Sequence, residues 1–422
     1  MAVTLAAGAQ VKSPAEAKKM VDSAIAATQN EKKAGKASTW INLGKAYVAA
    51  YDAPIGDIWP WASKQELSLI MKETPSDVSV VQLTDGAYTK EVYAEKNLYF
   101  NMAGQLVVIE VTKPVLENPL PKAVEAYNKA YELDPKKAKE VTSALTGIAT
   151  KLTNDAYNQY TLGNVAKASE LFEEIATTVA NPPVSKIDTN AIYNAGFTAM
   201  AVGDKARAKK FLEQCYSLGY YAEGGEVFSK LAEIDTTKTK AYLEEGFQKF
   251  PQSQSILIGL INYYMNSEGN TDRLFQLLDL AKANEPNNPS LYYVEGNIHV
   301  ELGELDKAVE AYRKCSEINP EYEFGYIGEG ILNYNRAVDI QDKANNEMDD
   351  AKYMVLVGQF EESLKGCIEP FEKAYQVTKD PSIKTSIAEY LKNATYRFRD
   401  ESPEYMAKYE KYDKVVKTGV AD

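Results

Sequence analysis

The sequence predicts an all-α chain of about seven antiparallel helix pairs with capping helices, opened in its first pair by a small α+β insertion. Three observations predict it. Small and aromatic residues recur at a period near 34 over much of the chain, the length of two helices and two turns. The half-pattern "TWINLGKAYVAAYD" at residues 39–52 lacks a second helix directly after it, yet a matching "KAVEAYNKAYELDP" stands at residues 122–135. Between them, "TKEVYAEKNLYFNMAGQLVVIEVTKPV" carries two runs rich in Tyr, Phe, Val and Ile, the composition of a β-hairpin and not of a helix pair.

Composition narrows the field before any element is placed. The chain has 422 residues, 45% of them hydrophobic, enough for two or three domains or one extended array. Its 47 Lys and Arg against 60 Asp and Glu leave a net charge of -13, which repels nucleic acid unless a basic patch intervenes. No such patch is present in the sequence, so nucleic acid is not expected as a partner. No apolar run approaches the roughly 18–20 residues that cross a bilayer, so an integral membrane protein is not expected. Three cysteines, an odd number, make a disulfide framework a poor reading.

At the start, in residues 1–12, residues 2–9 are small and apolar, and Ala7-Gly8-Ala9 before Gln10 has the small-x-small form of a signal-peptidase site. The segment reads as a signal-peptide remnant, with a disordered tail as the alternative. The first reading implies a periplasmic or otherwise exported chain, compatible with association with a membrane complex; the second leaves a cytoplasmic one. Ser13 as N-cap and Pro14 at the first helical position then predict a packing helix within 13–36.

Trp40, Leu43, Gly44 and Tyr47 occupy W-x2-L-G-x2-Y, and Ala123, Tyr127, Ala130 and Pro135 occupy A-x3-Y-x2-A-x4-P. Joined, they make one helix pair over 37–135 with roughly 67 residues inserted, at about 52–119. Within the insertion, "SKQELSLIMKET" reads as helix and "SVVQL" as a short strand. Runs at about 89–100 and 105–113 flank Asn101-Met102-Ala103-Gly104 as a hairpin. Trp59, Trp61 and this hairpin are expected either to cover the apolar flank of the first pair or to present an aromatic surface to a partner.

The array continues over 136–382. Ala168, Phe172 and Ile175 mark one second helix, and Ala208, Leu212 and Cys215 the next, with Gly163 and Gly203 in the turns. The fullest copy is "NPSLYYVEGNIHVELGELDKAVEAYRKCSEINP". At about 323–378 the markers Cys367, Phe371 and Ala374 arrive roughly 25 residues late, which reads as both helices lengthened by about three turns. The "NNEMDD" stretch at 345–350 supplies the turn between them. Residues 383–422 close the array with charged capping helices.

These markers resemble the tetratricopeptide repeat family over most of the chain. The resemblance implies a right-handed α-solenoid, and a protein or peptide as partner instead of a substrate. Residues at the fifth, ninth and twelfth places of each first helix would face the concave groove. Tyr157, Tyr193, Phe197, Asn262, Tyr293, Asn297, Ile331 and Tyr334 stand there. Relatives that grip an acidic peptide terminus use Lys, Arg and paired Asn at these places, and this chain departs from that pattern. An aromatic groove with a few amides suits an extended peptide or an apolar helix.

The register leaves no catalytic, cofactor or metal site in view. Cys215 and Cys315 fall at the twenty-seventh place and Cys367 at the twentieth, all normally Ala. His299, the only histidine, falls where the family has Tyr. A protein-binding scaffold or assembly factor, exported, is therefore the expected function, with a cytosolic adaptor or regulator as the alternative and an enzyme not expected.

Overall fold

The computed structural model describes residues 12–265 and 271–418. Nineteen α-helices and one four-stranded antiparallel sheet form from these residues, in two compact units, Met1–Thr237 and Lys238–Asp422. The signal-peptide reading falls on residues that lie outside the described ones.

In the first unit, α1 (Pro14–Gln29) opens with a reciprocal cap in which Ser13 and Glu16 satisfy each other's backbone N–H. Asn30 ends it and caps a separate single turn, α2 (Glu31–Ala34). The packing helix expected within 13–36 is thus two helices, because Asn30 accepts the Lys32 N–H and reorients the chain. The next helix, α3 (Ala37–Ile55), continues past the expected start of the insertion. It packs on α5 (Pro119–Leu133), across the whole insertion. Ala123 and Ala130 are fully buried there, and a Cβ on Gly44 would lie 2.7 Å from the Tyr127 ring.

The insertion holds α4 (Lys64–Ile70) and the strands β1 (Asp77–Leu83), β2 (Gly86–Val92), β3 (Lys96–Phe100) and β4 (Leu106–Val111), in that order across the sheet. The expected single strand over 89–100 is corrected: it breaks at Tyr93–Glu95, where the Tyr93 N–H donates to the Lys96 carbonyl at 2.8 Å. Leu98, Phe100 and Leu106 face Leu67 of α4, while Tyr99, Val108 and Tyr88 face Leu162 on the other side. Every residue of β3 is consequently buried. Buried Lys96 donates from Nζ to the Pro54 carbonyl at the end of α3, 3.0 Å away.

The rest of this unit alternates first and second helices: α6 (Ala138–Thr161), α7 (Val165–Ala180), α8 (Thr189–Ala201), α9 (Lys205–Ser217) and α10 (Glu226–Ile234), each packed on the next. Gly163 and Gly203 turn the chain at φ 83° and 78°, where a side chain is strained. The sheet is tied to α6 by Thr84, whose N–H and hydroxyl both donate to the Thr161 carbonyl.

The second unit contains α11 (Thr239–Lys249), α12 (Gln254–Met265), α13 (Thr271–Asn284), α14 (Pro289–Glu301) and α15 (Leu305–Ile318). The long pair α16 (Glu323–Asn345) and α17 (Asp350–Val377) follows, with Asp349 capping α17 through the Lys352 N–H. The chain ends on α18 (Pro381–Phe398) and α19 (Pro403–Thr418). Tyr312 on α15 fills the space beside two glycines, for a Cβ on Gly296 or Gly328 would lie 2.4 or 2.5 Å from its ring. Pro370 sits inside α17 and has no N–H for the Gly366 carbonyl; the Asn333 amide of α16 donates to that carbonyl instead, at 3.2 Å.

Candidate functional site

The predicted groove residues divide by what the packing has left of them. On α8, Ala191, Ile192, Ala195, Gly196, Thr198 and Ala199 are buried, while Tyr193, Phe197 and Met200 remain half-buried. Those three follow i, i+4, i+7 and so lie along one stripe of the helix. Tyr193 and Phe197 stack with ring centroids 6.1 Å apart, and Tyr220 adds a third ring 6.1 Å from Tyr193. The neighbouring first helix, α10, places Glu226 on the Tyr193 hydroxyl and Lys230 Nζ 4.9 Å above the Phe197 ring. Burial, reinforced by Glu226, pushes the Tyr193 hydroxyl well above its ordinary pKa, so it stays a donor. Tyr220 in turn donates to Asn190, at 2.6 Å. The result is a half-open aromatic stripe with a cation and a carboxylate on its border.

Tyr157 on α6 is 54% exposed, with its ring edge on Phe172 at 5.5 Å. In the second unit, Asn262 is exposed on α12. Tyr293 is half-buried among Tyr312 and Phe324, and the Asn297 carbonyl accepts the Tyr312 hydroxyl at 2.7 Å. Asn297 therefore fixes a ring inside its own repeat. Ile331 and Tyr334 are half-buried and pack against the α17–α19 core, with Tyr334 5.0 Å from Tyr390.

Trp59 and Trp61 are 42% and 63% exposed. Trp61 is held at φ 70° with its N–H on the Leu106 carbonyl, 2.6 Å away. The positive φ is uncommon for a bulky residue and turns the indole out of the insertion's core.

Cys215, Cys315 and Cys367 are free and buried. Burial raises their thiols to about 12, about 11 and about 12, which makes nucleophilic chemistry poor. His299 is buried against Phe275 with Nδ1 2.7 Å from Glu304. Among the described residues no group of three or more His, Cys, Asp or Glu is placed to hold a metal ion, and no helix is long and apolar enough to cross a membrane.

One feature of the first unit has no counterpart in the sequence reading. A cavity of about 360 Å³ opens where the chain returning from β4 meets α3, α5, α6 and α7. Pro54, Val111, Leu116, Leu120, Leu152 and Leu171 line its apolar wall, and Asp155 and Glu174 supply carboxylates. Tyr51 donates to Asp155 at 2.8 Å, and Asn158 donates to the Ile109 carbonyl at 3.1 Å. Together these side chains separate the cavity from a second one of about 280 Å³ that holds the Lys151–Asp52 pair, 2.6 Å apart. Burial raises the Asp155 carboxyl to about 6 against the opposing pull of Tyr51 and Lys151. Burial also raises Glu174, and Asp155 adds to that effect. Its Oε1 is fully buried with no hydrogen-bond partner among the described residues. Residues from five elements and a connecting loop converge here, with no common spacing that a sequence pattern could show.

Repeated helix pairs closed by a glycine against a large second-helix side chain define a repeat scaffold. A tetratricopeptide repeat profile matches residues 189–218 and 289–322, the pairs α8–α9 and α14–α15, so the chain carries tetratricopeptide repeats there. No curated protein matches it. Among solved structures, the C-terminal part of a tetratricopeptide repeat protein from Cytophaga hutchinsonii is 16% identical, with 64% of this chain and 92% of that one covered and a TM-score of 0.44. YrrB, described as a tetratricopeptide repeat protein with an unusual peptide-binding site, is 17% identical over 48% of this chain and 96% of its own, TM-score 0.32. A human IFIT1 dimer with m7Gppp-AAAA is 16% identical over 70% and 68%, TM-score 0.36. None of these likenesses assigns a ligand to this chain.

Proposed function

We propose that the chain is a non-catalytic protein-binding scaffold whose first unit takes an extended peptide or an apolar helix on the α8 stripe. The tetratricopeptide fold is in general a protein-interaction scaffold, and the finer assignment rests on one observation. Tyr193, Phe197 and Met200 keep half-open surface along a helix whose Ala191, Ile192, Ala195 and Ala199 are buried. Rings held by stacking and by Glu226 lose little freedom on binding, which favours them as contact centres.

A second reading is favoured by Trp61, whose exposed indole on a strained residue makes the insertion the binding surface. The reading as a scaffold holds for an exported or a cytoplasmic chain alike. Selection of a displayed random-peptide library on the wild type, followed by calorimetry of the enriched peptides, separates the two. Peptides that lose affinity with Tyr193→Ala/Phe197→Ala support the stripe; peptides that lose it only with Trp61→Ala move the site to the insertion. If selection enriches nothing on either surface, the assignment of peptide binding fails.

A further inference from the structure

The α8 stripe leaves unused the cavity beneath the returning chain, and that cavity has the two parts of a ligand site. Its wall is apolar, and it exists because of the insertion: Ile109, Val111, Pro114 and Leu116 come from β4 and the segment after it. An ordinary repeat, with its second helix following directly, has no residues to build this wall. Its polar groups are few and convergent, the pattern of a small-group pocket and not of a general surface.

The charges facing it decide what it takes. From α3 come Tyr51 and, across the partition, Asp52; from α6 Asp155 and Lys151; from the returning chain Glu117; from α7 Lys167 and Glu174. Lys151 is held by Asp52 and Lys167 by Glu170, at 2.6 and 2.8 Å. Neither cation is a bonded partner of Asp155 or Glu174, and Asp155 accepts from the Tyr51 hydroxyl. Glu174 Oε1 is buried and unpartnered among the described residues. A buried carboxylate oxygen without a donor costs free energy, and a ligand bearing N–H donors and positive charge removes that cost.

We propose that this cavity binds an alkylammonium group on an apolar stem, the cation between Asp155 and Glu174 and the stem along Leu152, Leu171 and Leu116. The site is independent of the α8 stripe, so either can fail alone. An anionic or purely apolar ligand is disfavoured, the first by repulsion and the second by leaving Glu174 Oε1 without a donor. The same ammonium chemistry is carried by a partner's lysine side chain and by a free alkylamine.

The test uses the whole chain with three probes of matched stem: Nα-acetyl-lysine methylamide, n-butylamine and the uncharged Nα-acetyl-norleucine methylamide, followed by NMR titration or calorimetry. Both ammonium probes bind at pH 8, and the norleucine probe binds at least about tenfold more weakly. Tighter binding of the lysine amide than of butylamine identifies a polypeptide as the source; the reverse order identifies a free amine. Glu174→Gln and Asp155→Asn each lower affinity about tenfold or more, and affinity falls as pH drops through about 6, where Asp155 takes up its proton. Because Glu174 Oε1 bonds nothing in the described structure, Glu174→Gln leaves the fold intact and keeps the test valid if Asp155→Asn misfolds. Equal binding of the norleucine probe, no binding of either amine at millimolar concentration, or unchanged affinity in Glu174→Gln overturns the proposal.

Discussion

A Cβ placed on Gly44 would sit 2.7 Å from the ring of Tyr127, so a residue beyond the insertion fills the space that the first helix leaves open. Gly296 and Tyr312, sixteen residues apart, make the same contact in an uninterrupted repeat, and Gly196 with Leu212 repeats it at the same spacing. The insertion therefore interrupts the chain without interrupting the packing. Gly44→Ala should destabilise the protein by about 1–3 kcal/mol, because the Tyr127 ring must shift within a filled core. Gly147→Ala, inside α6 with nothing within 4 Å of the added carbon, should stabilise it by about 0.5–1 kcal/mol. Urea midpoints of the two variants check both signs.

The glycine contacts also explain what the sequence made legible. Gly44, Ala123 and Tyr127 reveal the split repeat because packing demands a small residue opposite a large one, whatever lies between. The sheet is less legible: nothing in Tyr93-Ala94-Glu95 announces a turn, and only the burial of β3 on both faces requires one there. The groove places of Ile331 and Tyr334 follow from the repeat register, which carries no sign that Tyr334 also meets Tyr390 of α18. The cavity was invisible because its walls come from separate stretches that share a volume and no period.

Asn333 and Pro370 are coupled through the Gly366 carbonyl, which Asn333 serves because proline cannot. Asn333→Ala should cost about 1 kcal/mol in the wild type. In a Pro370→Ala background, where the restored N–H serves the carbonyl, it should cost clearly less. A double-mutant cycle in denaturant measures the difference, and equal costs in both backgrounds would remove the compensation.

Stability should carry a pH signature from Asp155. Its folded-state carboxyl is raised to about 6 from roughly 3.9 in an unfolded chain, so the folded state binds the proton more tightly. That contribution favours folding at low pH and is lost as pH rises through about 6. Asp155→Asn should therefore gain stability relative to wild type between about pH 4 and 7. A constant offset across that range contradicts the assignment.

The three cysteines should behave as core residues. Their raised thiols and burial predict negligible reaction with Ellman's reagent in the folded protein at pH 8, and full reaction of all three on unfolding. A fast-reacting thiol in the native state would point to an accessible site.

The central claim, that the α8 stripe binds a protein partner, is tested most directly by quantitative crosslinking and capture from the native host. Wild type, Tyr193→Ala/Phe197→Ala and Trp59→Ala/Trp61→Ala are compared side by side. Two contact centres of about 2 kcal/mol each predict that the stripe variant binds the wild-type partner with affinity lower by about 100-fold or more, while helical content stays unchanged and the Trp variant binds normally. A stripe variant that holds the same partner at full strength, with the Trp variant losing it, contradicts the account and assigns binding to the insertion.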